Sequence, residues 1–153
     1  MNILSTDKAP GAIGPYSQGY EVNGVIYTSG QIPVDPADGT AAEGIAAQAE
    51  QSCRNVGAIL EAAGTGFDKV FKTTCFLADM NDFGTFNEVY ATYFVSKPAR
   101  SCVAVKTLPK GVLCEIEAIA VKSVSYTHLL TSSLPESAVK KKPTIPLSFG
   151  KGL

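Results

Sequence analysis

Residues 16–64 read YSQGYEVNGVIYTSGQIPVDPADGTAAEGIAAQAEQSCRNVGAILEAAG, and their pattern sets the fold class. Tyr16–Val22 and Val25–Ser29 are short runs of aromatic and β-branched residues joined at Asn23-Gly24. Asn-Gly is the strongest two-residue hairpin signal, because both positions tolerate positive φ. A Pro/Gly/Asp loop over Pro33–Gly39 closes the hairpin. Thr40 and Glu43 then match a T-x-x-E capping box, predicting that a helix opens there. Ile45, Ala49, Cys53, Val56 and Leu60 follow at helical spacing, and Gly64 stops the run. A hairpin followed by a helix with one apolar stripe predicts a helix lying on a sheet.

Working outward, Lys69–Leu77 reads as a strand rich in Val, Phe and Thr. Asn81 or Asp82 is placed to cap a second helix, with Phe83, Phe86, Tyr90 and Tyr93 along one side. Those aromatics read as core rather than as contacts to a cofactor. Pro98 forbids further helix. Ser101–Lys106 and Val112–Lys122 give two more strands around Leu108-Pro109-Lys110-Gly111. The predicted order is β-β-α-β-α-β-β, an α+β domain with two helices packed on one face of a sheet. No internal repeat, P-loop or G-x-G-x-x-G interrupts it, so nucleotide binding has no support in the sequence.

Composition narrows the chemistry. The chain has 153 residues, is 45% hydrophobic and 18% charged, and so can bury a core. A formal net charge of -1 argues against a dedicated nucleic-acid binder, which would need a basic excess. His128 is the one histidine and sits in a polar C-terminal stretch, outside any triad-like motif. Cys53, Cys75, Cys102 and Cys114 form no C-x-x-C pair, so a zinc site is not expected and no cofactor is called for. No apolar run reaches the roughly 20 residues of a membrane span, and the N-terminus lacks the parts of a signal peptide. The cysteines therefore read as reduced thiols of a cytoplasmic protein, three of them in the core. Residues 123–153 hold four lysines against one glutamate, and 1–122 hold 9 Lys/Arg against 13 Asp/Glu. Hydrophobic periodicity also stops after Val121, while Pro135, Pro143 and Pro146 appear. The expected organisation is a domain over 1–122 and a flexible appendage over 123–153, with Lys140–Lys142 a solvated charge run.

The last two strands carry an anomaly. Alternation puts Arg100, Cys102 and Ala104 on one face, and Glu115 and Glu117 on one face with Leu113 and Ile119. If these strands form a hairpin centred near Leu108-Pro109, Cys102 lies opposite Glu115 and Arg100 opposite Glu117. That register would gather an arginine and two carboxylates around Cys102. Two readings fit it. Arg100 pairs with Glu117 across a solvated face, or Arg100 forks onto a substrate carboxylate while a glutamate handles water or a proton. A planar guanidinium suits the second role because it makes two parallel hydrogen bonds to a carboxylate.

Ala12-Ile13-Gly14-Pro15-Tyr16-Ser17-Gln18-Gly19, Thr28-Ser29-Gly30-Gln31-Ile32-Pro33, Pro98-Ala99-Arg100-Ser101-Cys102-Val103 and Glu115-Ile116-Glu117-Ala118-Ile119-Ala120-Val121 occur in order. Together with Asn81-Asp82-Phe83, Asn87 and Tyr90, they closely resemble the RidA (YjgF/YER057c) family across about residues 5–122. The resemblance implies a chorismate-mutase-like α+β fold and a homotrimer with ligand clefts between subunits. It implies 2-iminobutanoate/2-iminopropanoate deaminase activity, with a functional link to the PLP-dependent dehydratases that release such imines. The family's binding arginine maps onto Arg100, its water-handling glutamate onto Glu115, and its cleft cysteine onto Cys102. Tyr16, Ser29, Gly30 and Asn87 match other cleft positions.

Each of these residues also has a plainer reading: Tyr16 as a strand aromatic, Ser29 and Gly30 as a strand end, Asn87 as helix surface, Cys102 as a small wall. Two features depart from the family pattern. The Tyr93–Pro98 connection is short, with Lys97 where an aromatic is common, and Ser123–Leu153 has no counterpart. Two rival functions remain at this level. One is a trimer that senses 2-oxo acids through Arg100 without turnover. The other is the ribonuclease or translation-inhibitor activity attributed to some relatives, for which an acidic domain is poorly built.

Overall fold

The computed structural model describes residues 1–123; 124–153, with His128, Lys140–Lys142 and all but the first residue of the expected appendage, lie outside the described residues. The hairpin forms as its turn chemistry requires. β1 (Asn2–Leu4) pairs with β2 (Gly19–Val22), and β2 with β3 (Val25–Thr28), all antiparallel. Asn23 and Gly24 take φ of 50° and 77°, the left-handed values that a tight hairpin turn needs. β1 is an addition to the predicted order, too short for its alternation to register in the sequence. Tyr16 lies in the loop before β2 rather than on a strand.

The first helix, α1 (Ile45–Ala62), starts later than the capping box predicted. Its N-cap is Gly44, at φ 86°, with no side-chain cap, because the Thr40 hydroxyl instead donates to Asp38 Oδ1 at 2.7 Å. The apolar stripe is as expected: Ala49, Cys53, Val56 and Leu60 are fully buried, and Gly64 follows the helix end at φ 76°. β4 (Val70–Leu77), α2 (Phe83–Tyr93), β5 (Ala99–Ala104) and β6 (Cys114–Val121) complete the domain. Neither Asn81 nor Asp82 caps α2 with its side chain; the nearest cap is Asp79, whose carboxylate accepts from Asn81 N at 2.8 Å.

The six strands form one sheet in the order β1-β2-β3-β6-β4-β5. β5 runs parallel to β4, while β6 is antiparallel to both β3 and β4. The predicted β5–β6 hairpin therefore does not exist, because β4 lies between the two strands. A strand–helix–strand crossover delivers β5 parallel to β4, and β6 returns to the middle of the sheet. The core joins α1 and α2 to one sheet face through Ile26, Val56, Ile59, Leu60, Phe86 and Ile116, among others. No described helix is long and apolar enough to cross a membrane.

Candidate active site

Alternation along β6 decides which side each group faces. Cys114, Ile116, Ala118 and Ala120 point into the helix-covered core, so Glu115 and Glu117 point to the opposite face. On β5, Arg100 is the register partner of Thr73 and Cys102 that of Cys75, and both Thr73 and Cys75 are buried in the core. Arg100 and Cys102 thus lie on the helix side. The hairpin register behind both readings does not form: Arg100 does not pair with Glu117, and Glu115 and Glu117 do not gather around Cys102 within one copy of the chain. The residues expected to act together form two separate clusters.

The first cluster is built around Arg100. Its Nη1 donates to Asn87 Oδ1 at 2.7 Å, and its guanidinium lies 4.7 Å from the Tyr90 ring centre and 5.5 Å from that of Phe83. Stacking of this kind holds the cation without consuming its hydrogen-bond fork, and is worth about 0.5–2 kcal/mol. Tyr90 is itself pinned, its hydroxyl 2.7 Å from that of Thr73, which is 1% exposed. Burial pushes the Tyr90 phenol up to about 12, with the Thr73 bond acting against the rise, so it stays protonated. Asn87, Tyr90, Phe94, Lys97, Pro98 and Arg100 line a cavity of about 500 Å³. Phe83 and Tyr90 were read as core from their helical spacing. They are also the platform for Arg100, a role visible only once β5 is known to lie against α2.

The second cluster gathers Tyr16, Ser29, Gly30 and Glu115 with Glu117, around a cavity of about 490 Å³. Three polar anchors set its walls. Asn55 on α1 donates to the carbonyls of Ile32 and Val34 at 3.0 and 2.9 Å, and Gln31 N donates to Ile116 O at 2.8 Å. Together they draw the segment after β3 across β6, bringing Gly30 against Glu115. The buried Gln18 carboxamide ties down the N-terminal segment through Thr6, Ala9 and Pro10. The Ser29 hydroxyl donates to Ser17 O at 2.6 Å, and Tyr16 OH accepts from Ile13 N at 3.2 Å. Desolvation, and then the neighbouring Glu117, raise the Glu115 pKa above the ordinary carboxylate range.

Gly30 has a specific steric reason. A Cβ there would collide with the Glu115 carboxylate, whose Cδ lies only 2.8 Å from that position. The obstacle is the end of a flexible side chain, so the backbone tolerates the change while Glu115 must swing away. Gly30→Ala should keep the melting temperature within a few degrees and lower any activity that depends on the Glu115 carboxylate by roughly tenfold or more, since misplaced reactive groups are costly.

Cys102 is half-buried beside Arg100; burial raises its thiol pKa while Arg100 opposes the rise. Cys53, Cys75 and Cys114 are buried free thiols, with Cys75 and Cys114 pushed up to about 12 by desolvation, as core packing predicts. Among the described residues, no three His, Cys, Asp or Glu side chains come together as a metal-binding group.

Comparison with known proteins adds independent findings. The family model described as endoribonuclease L-PSP matches residues 6–122. The chain is 54% identical over 122 residues to the 2-iminobutanoate/2-iminopropanoate deaminase of Mus musculus, covering 78% of this chain and 90% of that protein. It is 53% identical over 123 residues to the protein of the same name from Salmonella typhimurium, covering 78% and 96%. Among solved structures, E. coli TdcF with bound serine superposes with a TM-score of 0.78 at 49% identity, covering 80% of this chain and 100% of that one.

Proposed function

Because the chain belongs to the RidA/YjgF family, we propose that it hydrolyses 2-imino acids and their enamine tautomers to 2-oxo acids and ammonia, at a cleft shared between copies of the chain. The observation that carries the chemistry is an arginine with a free hydrogen-bonding edge, fixed by Asn87 and two aromatic rings in a largely apolar cavity. Such a group binds a carboxylate in two-point fashion. The serine bound in the TdcF structure is an amino acid with the same α-carboxylate.

The reaction needs few catalytic groups. A protonated 2-imino acid is already electrophilic at C2, so water adds there without a protein nucleophile. The Glu115 carboxylate takes a proton from water as the O–C2 bond forms, and the C=N π electrons move to nitrogen. Glu115 returns that proton to the amine of the tetrahedral adduct. Ammonia then leaves as the hydroxyl gives its proton to the Glu115 carboxylate and the C=O bond forms, and Glu115 passes that proton to the departing ammonia. Protonated imine and water are consumed; 2-oxo acid and ammonium are produced. General-base help of this kind contributes about 10²–10⁴-fold. Glycine, serine and tyrosine beside Glu115 shape the water's approach, and Cys102 serves as wall beside Arg100.

Arg100 and Glu115 face opposite sides of one sheet, so a single copy cannot offer both to one substrate. The face without helices also carries a row of register partners, Ile3, Tyr20, Tyr27 and Ile119. Ile3, Tyr27, Val103 and Val121 on that face are 42–63% exposed, an apolar surface of the kind that interfaces cover. These features support a ring-closed homotrimer in which one copy's Arg100 meets a neighbour's Glu115. PLP-dependent dehydratases release the required enamines and are the proposed source. The four free thiols suit a reducing cytoplasm.

Mixed assembly tests the shared cleft. Arg100→Lys and Glu115→Gln subunits, each inactive alone, should regain about a quarter of wild-type turnover when refolded together at equal amounts, since each cleft draws one residue from each of two subunits. A mixture as inactive as its parts would refute the shared site. RNA incubated with the same preparations should remain intact, in keeping with 13 acidic against 9 basic residues over 1–122.

A further inference from the structure

We infer that Lys97 makes the Arg100 cavity selective for 2-imino acids that carry a second carboxylate, such as 2-iminosuccinate and 2-iminoglutarate. This rests on the deaminase reading and goes beyond it by naming the substrate class. Lys97 and Arg100 both line the cavity, and no aspartate or glutamate does. Among the described residues, neither cation forms an ion pair. The wall that one copy supplies to the cleft therefore presents two positive charges, one more than a substrate with a single carboxylate uses. A monocarboxylic iminium is neutral overall, whereas a dicarboxylic one brings a second anionic group that needs a partner.

The turn that carries Lys97 is firmly held. Phe94 is 2% exposed, its ring stacked on Tyr90 at 4.3 Å and edge-on to Phe67 at 5.1 Å. The Ser96 hydroxyl donates to Val70 O at 2.6 Å, and Lys97 N donates to Phe94 O at 3.1 Å. Within that frame Lys97 takes φ 49°, a left-handed backbone that a long side chain adopts only at a cost of about 1–2 kcal/mol. Asparagine or glycine would sit there more easily. Strain of this kind concentrates at functional positions. Two residues, Pro98 and Ala99, separate the two cations along the chain. Both side chains line one cavity of about 500 Å³, and a diacid with two or three carbons between its carboxylates offers one anionic end to each. Arg100 takes the α-carboxylate and Lys97 the distal one, over a floor of Tyr90 and Pro98.

The test compares 2-iminosuccinate, 2-iminoglutarate and 2-iminopropanoate, each generated in situ from its amino acid by a flavin-dependent amino-acid oxidase with catalase. Rates are read as imine loss above the uncatalysed rate. Lys97→Asn removes the charge and accepts the left-handed backbone; Lys97→Arg keeps the charge. The diacid-to-monoacid ratio of kcat/KM should fall at least about tenfold in Lys97→Asn, mainly through KM, and recover in Lys97→Arg. In the wild type, added salt should lower the ratio, because an exposed ammonium is screened. Calorimetric titration with oxaloacetate and pyruvate gives a readout independent of turnover, with Lys97→Asn weakening the first more than the second. A ratio and a binding preference that stay within twofold in Lys97→Asn would overturn the role of Lys97. So would a wild type that hydrolyses 2-iminopropanoate and ignores both diacids. Loss of every imine activity, with the binding preference intact, would instead overturn the deaminase reading and leave Lys97 as a binding determinant.

Discussion

Arg100→Lys should lower kcat/KM for 2-iminopropanoate by about 100-fold, equivalent to roughly 3 kcal/mol of transition-state binding. The substitution keeps the positive charge, so the loss measures geometry. Lysine has no planar fork to match a carboxylate, and its ammonium cannot keep the same flat contact with Tyr90 and Phe83 while reaching Asn87. The fold should be unaffected, because Arg100 lies at the rim of the core on the edge strand β5 and makes no ion pair among the described residues. Circular dichroism and sedimentation should match the wild type. The kinetic loss should divide between KM and kcat, since the carboxylate is held in the ground state and oriented for attack. Activity within twofold of the parent would remove Arg100 from the site.

Glu115→Gln should lower kcat by roughly 100- to 1000-fold while leaving 2-oxo acid binding largely in place, because the amide cannot take the proton from water. Cys102→Ser, by contrast, should retain most turnover. If the cysteine change were the fatal one, a covalent route through sulfur would replace the water mechanism. The pH profile gives a second readout. If Glu115 works as the proposed carboxylate base, its pKa, raised by desolvation and Glu117, should place the acid limb of kcat/KM at a higher pH than a solvated glutamate would give. Glu117→Gln removes a like charge beside it and should move that limb to lower pH. The same raised pKa means that ionised Glu115 is less comfortable folded than unfolded. Its contribution to stability therefore diminishes as pH rises through its folded pKa, and Glu115→Gln should not destabilise the protein at neutral pH.

Much of this was legible in the residues themselves. Asn23-Gly24 dictates its turn because only a few residue types accept positive φ twice in succession. The stripe Ala49, Cys53, Val56, Leu60 dictates the buried face of α1, and alternation along Cys114–Val121 dictates that Glu115 and Glu117 share a side. The family blocks named Arg100, Glu115, Tyr16, Ser29, Gly30, Asn87 and Cys102 as the residues of interest. All of these signals are local or carried by short motifs, and helix and strand periodicity is fixed by backbone geometry alone.

What the sequence left open was which strands are neighbours. The nine residues between β5 and β6 looked like a hairpin connection, yet β4 occupies the place between them. The signal was present: strand, helix and strand over Val70–Ala104 make a crossover unit, and such units deliver their second strand parallel to the first. Thr40 failed for a different, local reason, since its hydroxyl found a partner in Asp38, two residues away, rather than at the helix end. Strand order depends on contacts between distant segments, whose energies add up only in the folded chain. That order put Arg100 and Glu115 on opposite faces of one sheet. Side-chain alternation, a property of each strand alone, determined which residues of a strand face together; tertiary pairing decided which strands are neighbours, and so which face of the sheet each residue occupies.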